Sequence, residues 1–392
     1  NKKTLWMIAG GEMQIPAAYY VKKKGYNLII SDKNSKAPCR KFADEFFCID
    51  IVDLKKNELV EKLFKNKLSG IFTIGSDAHK TVNYFAKRNR LHHTSLDVSK
   101  ICKDKSLTRK FLKNKLPQPE SYLISNYEDY IKKVKNFSRG YTLKQLNLSG
   151  SKGFYELKAN EKLTKKKFAK ILNFNPQKKK IIIEEKLFPK KNTLSEMSTE
   201  AIWQDGKIIY FNCVDRIFPR DYMGYKNLPK SLYVNYKDGY EIGHINPSLK
   251  PKKEIQKIKK IMLKLGNLLG YNKMKKCHIL KADIFFSENG PIILEMTPRL
   301  SGGYHSTGSS IVRGTKLSEA IIKICKGERF KKEELKYYFS NNNKTVLIIS
   351  KYINDKRLFY IASGRKKINT LFKDIKSKIR KNTLLKNEKY FS

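Results

Sequence analysis

The chain has 392 residues, 40% of them hydrophobic, and carries 83 lysines and arginines against 36 aspartates and glutamates, for a formal net charge of +47. This length and this hydrophobic content predict two or three packed units rather than one small core. No stretch approaches the roughly 18 to 20 uninterrupted apolar residues that a membrane helix needs, so we expect no membrane span.

The positive charge comes mainly from lysine. Of the 83 basic residues 13 are arginine and 70 are lysine, spread along the chain with abundant asparagine and isoleucine. Arginine is the better residue for bidentate phosphate recognition, and no helix-turn-helix, zinc-finger or RNP-like motif accompanies the charge. We therefore interpret the charge as the codon bias of an AT-rich genome and expect no nucleic acid partner. A basic nucleic-acid-binding protein is the alternative from another functional class.

The N-terminus and the cysteines indicate a cellular compartment. A short apolar run at residues 5–9 leads into Gly10-Gly11, which predicts a strand and a turn and lacks the longer apolar region and cleavage site of a secretory signal. The six cysteines have no CxxC spacing, so they predict neither a zinc site nor a disulfide framework. We therefore expect a cytoplasmic protein with reduced thiols.

The first hundred residues alternate short apolar runs with helical patterns. Strands are expected at residues 5–9, 27–31, 46–49 and 70–74, and helices at 13–24, 55–65 and 77–88. This βαβ rhythm predicts a small parallel sheet with its ligand crevice at the carboxyl ends of the strands, where Gly10, Gly11, Glu12, Asp32 and residues 75–77 fall. Gly10-Gly11 is not a GxGxxG fingerprint and gives little support to a dinucleotide.

After residue 100 the pattern changes to a helix that carries Asp104, Lys105 and Arg109 and ends at two prolines. A mixed α+β region then extends to about residue 326 and includes an amphipathic helix at 250–269. The last sixty residues predict strands at 345–350 and 358–362, followed by a lysine-rich tail. We therefore divide the chain into residues 1–100, 101–330 and 331–392.

Two segments of the middle region are candidates for nucleotide binding. Residues 146–153 form a Gly- and Ser-rich loop after a run that ends at Lys144, and the backbone N–H groups of such a loop can surround phosphate oxygens. The β-branched run 181–183 ends in Glu184 and Glu185, where backbone groups can bind an adenine edge and a carboxylate can accept hydrogen bonds. The alternatives are an ordinary turn and a strand that ends in solvated charge.

A predicted hairpin is the most specific element. Asn289-Gly290 lies between two apolar runs, which is a hairpin signal. The hairpin places Asp283 and Glu295 on adjacent strands, where both can face one cleft as hard oxygen ligands for Mg²⁺ that bridges ATP phosphates. Arg299 follows within reach of a phosphoryl group or a carboxylate. Both acids interrupt otherwise apolar strands, which favours a metal site over two exposed strand residues.

These pieces, in this order, resemble the ATP-grasp superfamily with a preceding Rossmann-like domain, over residues 4–326. The resemblance implies an α/β and α+β fold: a Rossmann-like N-terminal domain, a two-subdomain ATP-grasp fold with a lid at about residues 118–185, and a small C-terminal extension. It also implies a ligase dependent on ATP and Mg²⁺ (or Mn²⁺) that converts a small-molecule carboxylate into an acyl phosphate and couples it to an amine or another nucleophile. Many such proteins pair, so a homodimer is an open alternative.

The resemblance also implies roles for individual residues. The residues implied for ATP are Lys105, Lys144, Ser149, Gly150, Ser151, Lys152, Gly153, Glu184, Glu185, Lys186, Leu187 and, near the ribose, Glu196. Asp283 and Glu295 match the metal-binding pair. Thr297 stands where the family usually has a metal-coordinating asparagine, so this third coordination position is open. Arg299 matches the arginine of the family signature and, with Lys144, is the expected catalytic residue.

The acceptor site is less determined by the sequence. The run 301–308 is rich in glycine and hydroxyl groups, and Ser301, Gly302 and Gly303 could bind a substrate carboxylate. His305 could assist a proton transfer or simply form a hydrogen bond, and Arg216 could hold an anionic substrate or be a surface charge. Within the enzyme class, the alternative reaction is activation of bicarbonate or of a formyl or carbamoyl donor.

Overall fold

The structure, a computed structural model, describes residues 3–146, 153–174, 179–219, 221, 240–353, 356–365 and 367–381. Within these ranges the chain forms three β-sheets, one parallel and two antiparallel, with helices packed against them. The α/β and α+β fold class predicted from the sequence is therefore confirmed. None of the helices in these ranges combines the length and the apolar character that a membrane crossing requires.

The first sheet is the βαβ unit predicted at the N-terminus. Its strands are β1 (Thr4–Ile8), β2 (Asn27–Ser31), β3 (Glu45–Phe47) and β4 (Leu68–Phe72), and its helices are α1 (Ile15–Lys23), α2 (Leu54–Phe64) and α3 (His79–Arg88). The strands run parallel in the order β3-β2-β1-β4. All five residues of β1 are buried, because helices cover both faces of a parallel sheet. The carboxyl ends of the strands therefore meet at one edge.

Two short helices, α4 (Leu96–Lys103) and α5 (Lys105–Leu112), connect this unit to the rest of the chain. Asp104 lies between them and caps α5, since its carboxylate accepts hydrogen bonds from the backbone N–H groups of Ser106 and Leu107. The cap ends one helix and begins the next, where the sequence predicted a single helix. Its consequence is that Lys105 is fixed in the first turn of α5.

The second sheet is antiparallel and falls within the predicted lid. Its strands are β5 (Ser121–Ile124), β6 (Tyr141–Gln145), β7 (Tyr155–Leu157) and β8 (Ile181–Glu185), with helices α6 (Tyr127–Val134) and α7 (Lys165–Leu172). The strand order is β5-β8-β6-β7. Aromatic and aliphatic side chains from the sheet and from both helices form one core, in which the rings of Tyr130 and Phe168 stack at 5.0 Å.

The third sheet has seven antiparallel strands in the order β13-β12-β9-β10-β11-β14-β15. These strands are β9 (Glu196–Gln204), β10 (Lys207–Ile217), β11 (Gly243–Asn246), β12 (Cys277–Ser287), β13 (Gly290–Thr297), β14 (Thr345–Ile353) and β15 (Lys356–Gly364). The remaining helices are α8 (Lys252–Leu268), α9 (Ser310–Val312), α10 (Leu317–Cys325), α11 (Lys332–Phe339) and α12 (Ile368–Arg380). The two predicted C-terminal strands pair with each other and continue this sheet through β11.

The two faces of the seven-stranded sheet differ in chemistry. On one face Ala201 and Trp203 of β9 pack against the apolar side of α8, the amphipathic helix predicted from the sequence. Gly266 permits this contact, since a Cβ atom there would overlap the Trp203 ring. The alternate residues of β9, Glu196 and Glu200, face the other side, and this side of the sheet faces the candidate site.

Candidate active site

Asp283 and Glu295 lie directly opposite each other on β12 and β13, so the predicted pairing is confirmed. Asp283 is buried, and its Oδ2 atom lies 2.6 Å from the Lys281 ammonium and 3.3 Å from the Arg216 guanidinium. Burial raises the pKa of Asp283, but Lys281 and Arg216 outweigh burial and hold that pKa below its usual value. Asp283 is therefore an ionised carboxylate inside the protein.

Two buried oxygen atoms of the hairpin have no hydrogen-bond partner among the described residues. They are Oδ1 of Asp283 and Oγ1 of Thr297. The Glu295 side chain is 44% exposed, with its Oε1 atom 3.5 Å from the Lys105 ammonium. Buried polar atoms are usually hydrogen-bonded. Two buried oxygens without a partner among the described residues, next to a half-exposed carboxylate, therefore form a set of oxygen ligands that could bind a hard metal ion.

Glu184 lies on the lid side and is completely buried between two cations. Its Oε1 atom lies 2.7 Å from Nε of Arg109, and its Oε2 atom lies 2.6 Å from Nζ of Lys144. Burial raises the pKa of Glu184, but the two cations together lower it to about 2. The sequence predicted an acid that contacts the nucleotide or ends in solvent. The structure instead shows a carboxylate with an ion pair at each oxygen.

Arg109, for which the sequence predicted no role, also connects the lid to the hairpin. Its guanidinium donates to the carbonyl oxygens of Ile293, at 3.4 Å, and Leu294, at 2.8 Å. Leu294 lies at a register shift, since Asp283 pairs with Glu295 while the next residue pairs with Ile293. The same arginine therefore holds Glu184 and supports the strand that carries Glu295.

The other residues predicted for the nucleotide are placed around β6 and β8. The Glu185 carboxylate accepts a hydrogen bond from the Glu120 N–H at 2.9 Å, and the Lys186 ammonium lies 2.7 Å from Glu156. Leu187 is half-buried. Gly153 has φ of +68°, a backbone conformation that favours glycine. The predicted loop residues Ser149, Gly150, Ser151 and Lys152 lie outside the described residues.

The elements that carry the two predicted phosphate lysines are joined directly. The backbone N–H of Lys105 donates to the carbonyl oxygen of Leu146, just after β6, at 3.1 Å. The Lys144 side chain is 21% exposed and that of Lys105 is 17% exposed, so each is largely covered by protein. Helix α5 and strand β6 therefore present their lysines from neighbouring positions.

Arg299 lies where the N-terminal unit meets the hairpin. Its Nη2 atom donates to Oδ1 of Asp77 at 2.8 Å, and its Nη1 atom donates to the Leu300 carbonyl at 3.0 Å. Burial, followed by the charges of Arg299 and Lys103, lowers the pKa of the neighbouring His79 to about 3, so this imidazole is neutral. One cleft is lined by Asp77, His79, Lys103, Lys105, Glu295 and Thr297 among other residues.

The run 301–305 also contacts the N-terminal unit. Gly302 lies against Gly75, and a Cβ atom at Gly302 would come within 2.9 Å of the Gly75 carbonyl oxygen. The Gly303 N–H lies 2.9 Å from Sδ of Met13, and the Ser301 N–H donates to the buried Glu200 at 2.6 Å. The predicted acceptor run therefore meets the crevice that the sequence placed at the ends of the parallel strands.

Arg216 is mostly covered by protein and lies among three carboxylates. Its guanidinium lies 2.8 Å from Glu196, 2.9 Å from Glu241 and 3.3 Å from Asp283. Burial lowers the pKa of Arg216, but the three acids outweigh burial and raise it above its ordinary value. The alternative of a surface charge is thus wrong for Arg216. Glu196, predicted near the ribose, is one of its partners.

His305 is buried and hydrogen-bonded to the same Glu241, with Nε2 of His305 2.9 Å from Oε1 of Glu241. The ring of His244 lies 4.2 Å from the His305 ring, edge to face. The sequence singled out neither Glu241 nor His244. A signal was present in retrospect, because His244 and Asn246 are polar residues at alternate positions of a short buried strand.

Solved structures with the same fold show what this arrangement resembles, although no family model matches the sequence. Phosphoribosylglycinamide synthetase from Anaerococcus prevotii aligns over 98% of this chain and 99% of its own, with a TM-score of 0.68 and 16% identity. The L-amino acid ligase from Bacillus licheniformis aligns over 89% and 80%, with a TM-score of 0.65 and 13% identity. The chain therefore has the ATP-grasp fold.

Biotin carboxylase from Campylobacter jejuni, solved with an ATP analogue, aligns over 89% of this chain and 76% of its own, with a TM-score of 0.66 and 16% identity. Among curated proteins, the 3-methyl-D-ornithine–L-lysine ligase of Methanosarcina barkeri is 40% identical over 50 residues. That match covers 13% of this chain and 14% of the relative, so the chain matches only about a seventh of the relative's length.

Proposed function

We propose that this protein is an ATP- and Mg²⁺-dependent ligase. It phosphorylates a substrate carboxylate and couples the acyl phosphate to an amine, releasing ADP and phosphate. The observation that carries the proposal is the oxygen set at the hairpin: Oδ1 of Asp283, Oγ1 of Thr297 and the half-exposed Glu295. Thr297 and Glu295 line one cleft with Lys105, and Asp283 is the strand partner of Glu295. The ATP-grasp fold and its similarity to ATP-dependent ligases support the same reaction.

The donors at the hairpin fit a hard divalent cation. Two buried oxygens without hydrogen-bond partners among the described residues and one accessible carboxylate match the all-oxygen preference of Mg²⁺. Asp283, Glu295 and Thr297 would hold the ion, which would offset the charge of the ATP phosphates. Lys281 and Arg216 hold Asp283 in place, so its carboxylate is oriented before any ligand binds.

The protein's own cations would stabilise the phosphoryl transfer. Lys144 gives one of its three N–H donors to Glu184 and keeps the others, and Lys105 lies across from Glu295. Arg299 is held by Asp77 at the edge of the same cleft. Positive groups that are fixed before the reaction favour a transition state in which negative charge spreads over the phosphoryl oxygens.

A substrate with a positively charged amino group fits the acceptor region best. Three carboxylates, those of Glu196, Glu241 and Asp283, lie together here around Arg216, and a grouping of acids favours a cationic group over an anionic one. An anion at Arg216 would have to compete with three carboxylates, so we propose that Arg216 orients these acids. The names of an L-amino acid ligase and of a 3-methyl-D-ornithine–L-lysine ligase among similar proteins support an amino-acid amine.

Bicarbonate activation is the second candidate, because biotin carboxylase shares the fold with a similar TM-score of 0.66. The test is phosphate release by the purified protein with ATP and Mg²⁺, with pairs of amino acids, diamino acids included, against bicarbonate. We expect turnover that requires both a carboxylate and an amine, with an amide product detected by mass spectrometry. Bicarbonate-dependent turnover without an amine would overturn the amide-ligase proposal.

An isotope experiment tests the acyl phosphate itself. The carboxylate oxygen that attacks the γ-phosphorus stays with the phosphate when the amine displaces it. A substrate carboxylate labelled with ¹⁸O is therefore expected to transfer one label to the released phosphate. Label in AMP would indicate an adenylate instead.

Tight, salt-sensitive nucleic acid binding without any ATP turnover would favour the non-enzymatic alternative.

The finer expectations from the sequence stay predictions. They are the domain boundaries at residues 100 and 330, the cytoplasmic location and the homodimer. Gel filtration with light scattering would test the homodimer directly.

A further inference from the structure

A second group of metal-binding side chains lies beside the oxygen site and differs from it in chemistry. Oε1 of Glu241, a ring nitrogen of His244 and a ring nitrogen of His305 all lie within 4.8 Å of one another. The Oε1 atom of Glu241 is 2.9 Å from Nε2 of His305 and 3.9 Å from Nδ1 of His244. In a tetrahedral zinc site with bonds of about 2.1 Å, neighbouring ligand atoms lie roughly 3.4 Å apart. The two distances to Glu241 each differ from this value by about half an ångström, and the two ring nitrogens lie within 4.8 Å of each other.

A network of hydrogen bonds holds the His244 ring through its Nε2 atom. Arg313 donates to Oδ1 of Asn246 at 2.8 Å, so the Asn246 amide nitrogen is the atom that donates to Oγ of Ser309, at 2.9 Å. Ser309 in turn donates its hydroxyl proton to the His305 carbonyl oxygen at 3.2 Å. Nε2 of His244 lies 2.9 Å from Oγ of the same serine. Nδ1 of His244 is the ring nitrogen on the side of Glu241, 3.9 Å from its Oε1 atom.

Glu241 is oriented in the same way, by its other oxygen. Nε of Arg216 lies 2.9 Å from Oε2 of Glu241, which leaves Oε1 directed at the two histidines. Burial raises the pKa of Glu241, but Arg216 and His305 outweigh burial and keep the carboxylate ionised. A ligand carboxylate whose second oxygen accepts a hydrogen bond is the usual support of a metal site.

The side chain of His305 is held through one of its two ring nitrogens. Its Nδ1 atom is buried and has no hydrogen-bond partner among the described residues, and the ring is only 3% exposed. The ring is thus held on one side, by Glu241. Coordination through Nε2 would exchange that hydrogen bond for a bond to the ion and would place the ring proton on Nδ1.

We propose that Glu241, His244 and His305 form a zinc site, separate from the Mg²⁺ site at the hairpin. Two imidazoles and one carboxylate suit Zn²⁺, whereas Mg²⁺ prefers oxygen ligands throughout. Three protein ligands leave a fourth position for water or a substrate group. His305 belongs to the run 301–305, so the site lies beside the proposed acceptor region. The zinc site does not depend on the ligase proposal, because binding can be measured without ATP turnover.

The experiment is Zn²⁺ binding to the full chain after metal removal, by titration calorimetry in the presence of millimolar Mg²⁺. We expect one Zn²⁺ per chain, and a loss of affinity of at least about 10- to 100-fold in His244→Gln and in His305→Gln. Co²⁺ in place of Zn²⁺ is expected to give the intense visible absorption of a tetrahedral site in the wild type and not in either variant.

Two variants serve as controls. His93→Gln removes a half-buried histidine outside the cluster, whose Nδ1 atom lies 2.9 Å from the Leu91 carbonyl oxygen, and should bind Zn²⁺ like the wild type. Glu295→Ala should also retain Zn²⁺. Binding that survives both His244→Gln and His305→Gln, or that is lost in Glu295→Ala, would overturn the proposal. So would the absence of any Zn²⁺ binding by a wild-type chain whose circular dichroism shows it to be folded.

Discussion

In the lid, which we call the lid wall, Glu184 is fully buried and both of its oxygens carry ion pairs. On the hairpin β12–β13, which we call the hairpin wall, Asp283 and Thr297 each keep an oxygen without a hydrogen-bond partner among the described residues. Both walls carry acids that the sequence linked to ATP. The first is a completed network that joins the lid to the hairpin through Arg109. The second has oxygen atoms that can still coordinate a metal ion. Removing an acid should therefore lower stability at the first wall and activity at the second.

The largest expected effect is loss of stability on the lid wall. Glu184→Gln keeps the shape of the side chain but leaves Arg109 and Lys144 without their counter-charge, and breaking a buried pair costs about 3 to 5 kcal/mol. We expect the free energy of unfolding, measured by urea denaturation, to fall by about that amount. Lys144 is 21% exposed and can partly reach water, which places the expected value near the lower limit.

The control is the adjacent acid. The Glu185 carboxylate accepts a hydrogen bond from a backbone N–H and its side chain is half-buried, so Glu185→Gln should change the free energy of unfolding by no more than about 1 kcal/mol. Equal losses in both variants would contradict the view that Glu184 is the centre of the network.

On the hairpin wall the expected effect is on activity. Glu295→Ala removes a donor of the proposed Mg²⁺ site, and we expect phosphate release to fall by at least about 100-fold, equivalent to about 2.7 kcal/mol. The free energy of unfolding should change by less than about 1 kcal/mol, since the ion pair with Lys105 is half exposed. Glu288→Ala, at the turn of the same hairpin, should retain full activity. Unchanged turnover in Glu295→Ala would place the metal elsewhere.

The smallest expected effect is a dependence on acid pH. The pKa of Glu184 is about 2 in the folded protein and near its ordinary value of 4.5 in the unfolded chain. The stability it contributes, about 3 kcal/mol, is fully present above pH 4.5 and is lost as the pH falls toward 2. The stability gap between wild type and Glu184→Gln should therefore narrow by about 2 kcal/mol between pH 6 and pH 3. A constant gap would contradict the lowered pKa.

Much of the fold was predictable because it depends on local patterns. The βαβ rhythm predicted the parallel sheet, and Asn289-Gly290 predicted the hairpin that pairs Asp283 with Glu295. A turn of fixed length sets the register of the strands that it joins, so two acids twelve positions apart are brought together by local geometry.

The partners of these acids were not predictable in the same way. Arg109 meets Glu184 across 75 positions of sequence, and Arg216 meets Glu241 across 25, part of which lies outside the described residues. No spacing rule connects such positions. Their contact depends on which sheets pack together and on which face of the sheet a side chain lies.

The sequence by itself determined which charged residues are candidates for nucleotide binding and which strands form a hairpin. Turn residues and the alternation of apolar and polar side chains act over a few positions. Only the tertiary structure decided which of these charged groups already have an ion-pair partner inside the protein. Glu184 and Glu295 have the same side chain. Folding buries Glu184 and brings two cations within 3 Å of it, which makes it a structural ion pair. Glu295 stays half exposed, with its cation at 3.5 Å, which makes it a candidate metal ligand.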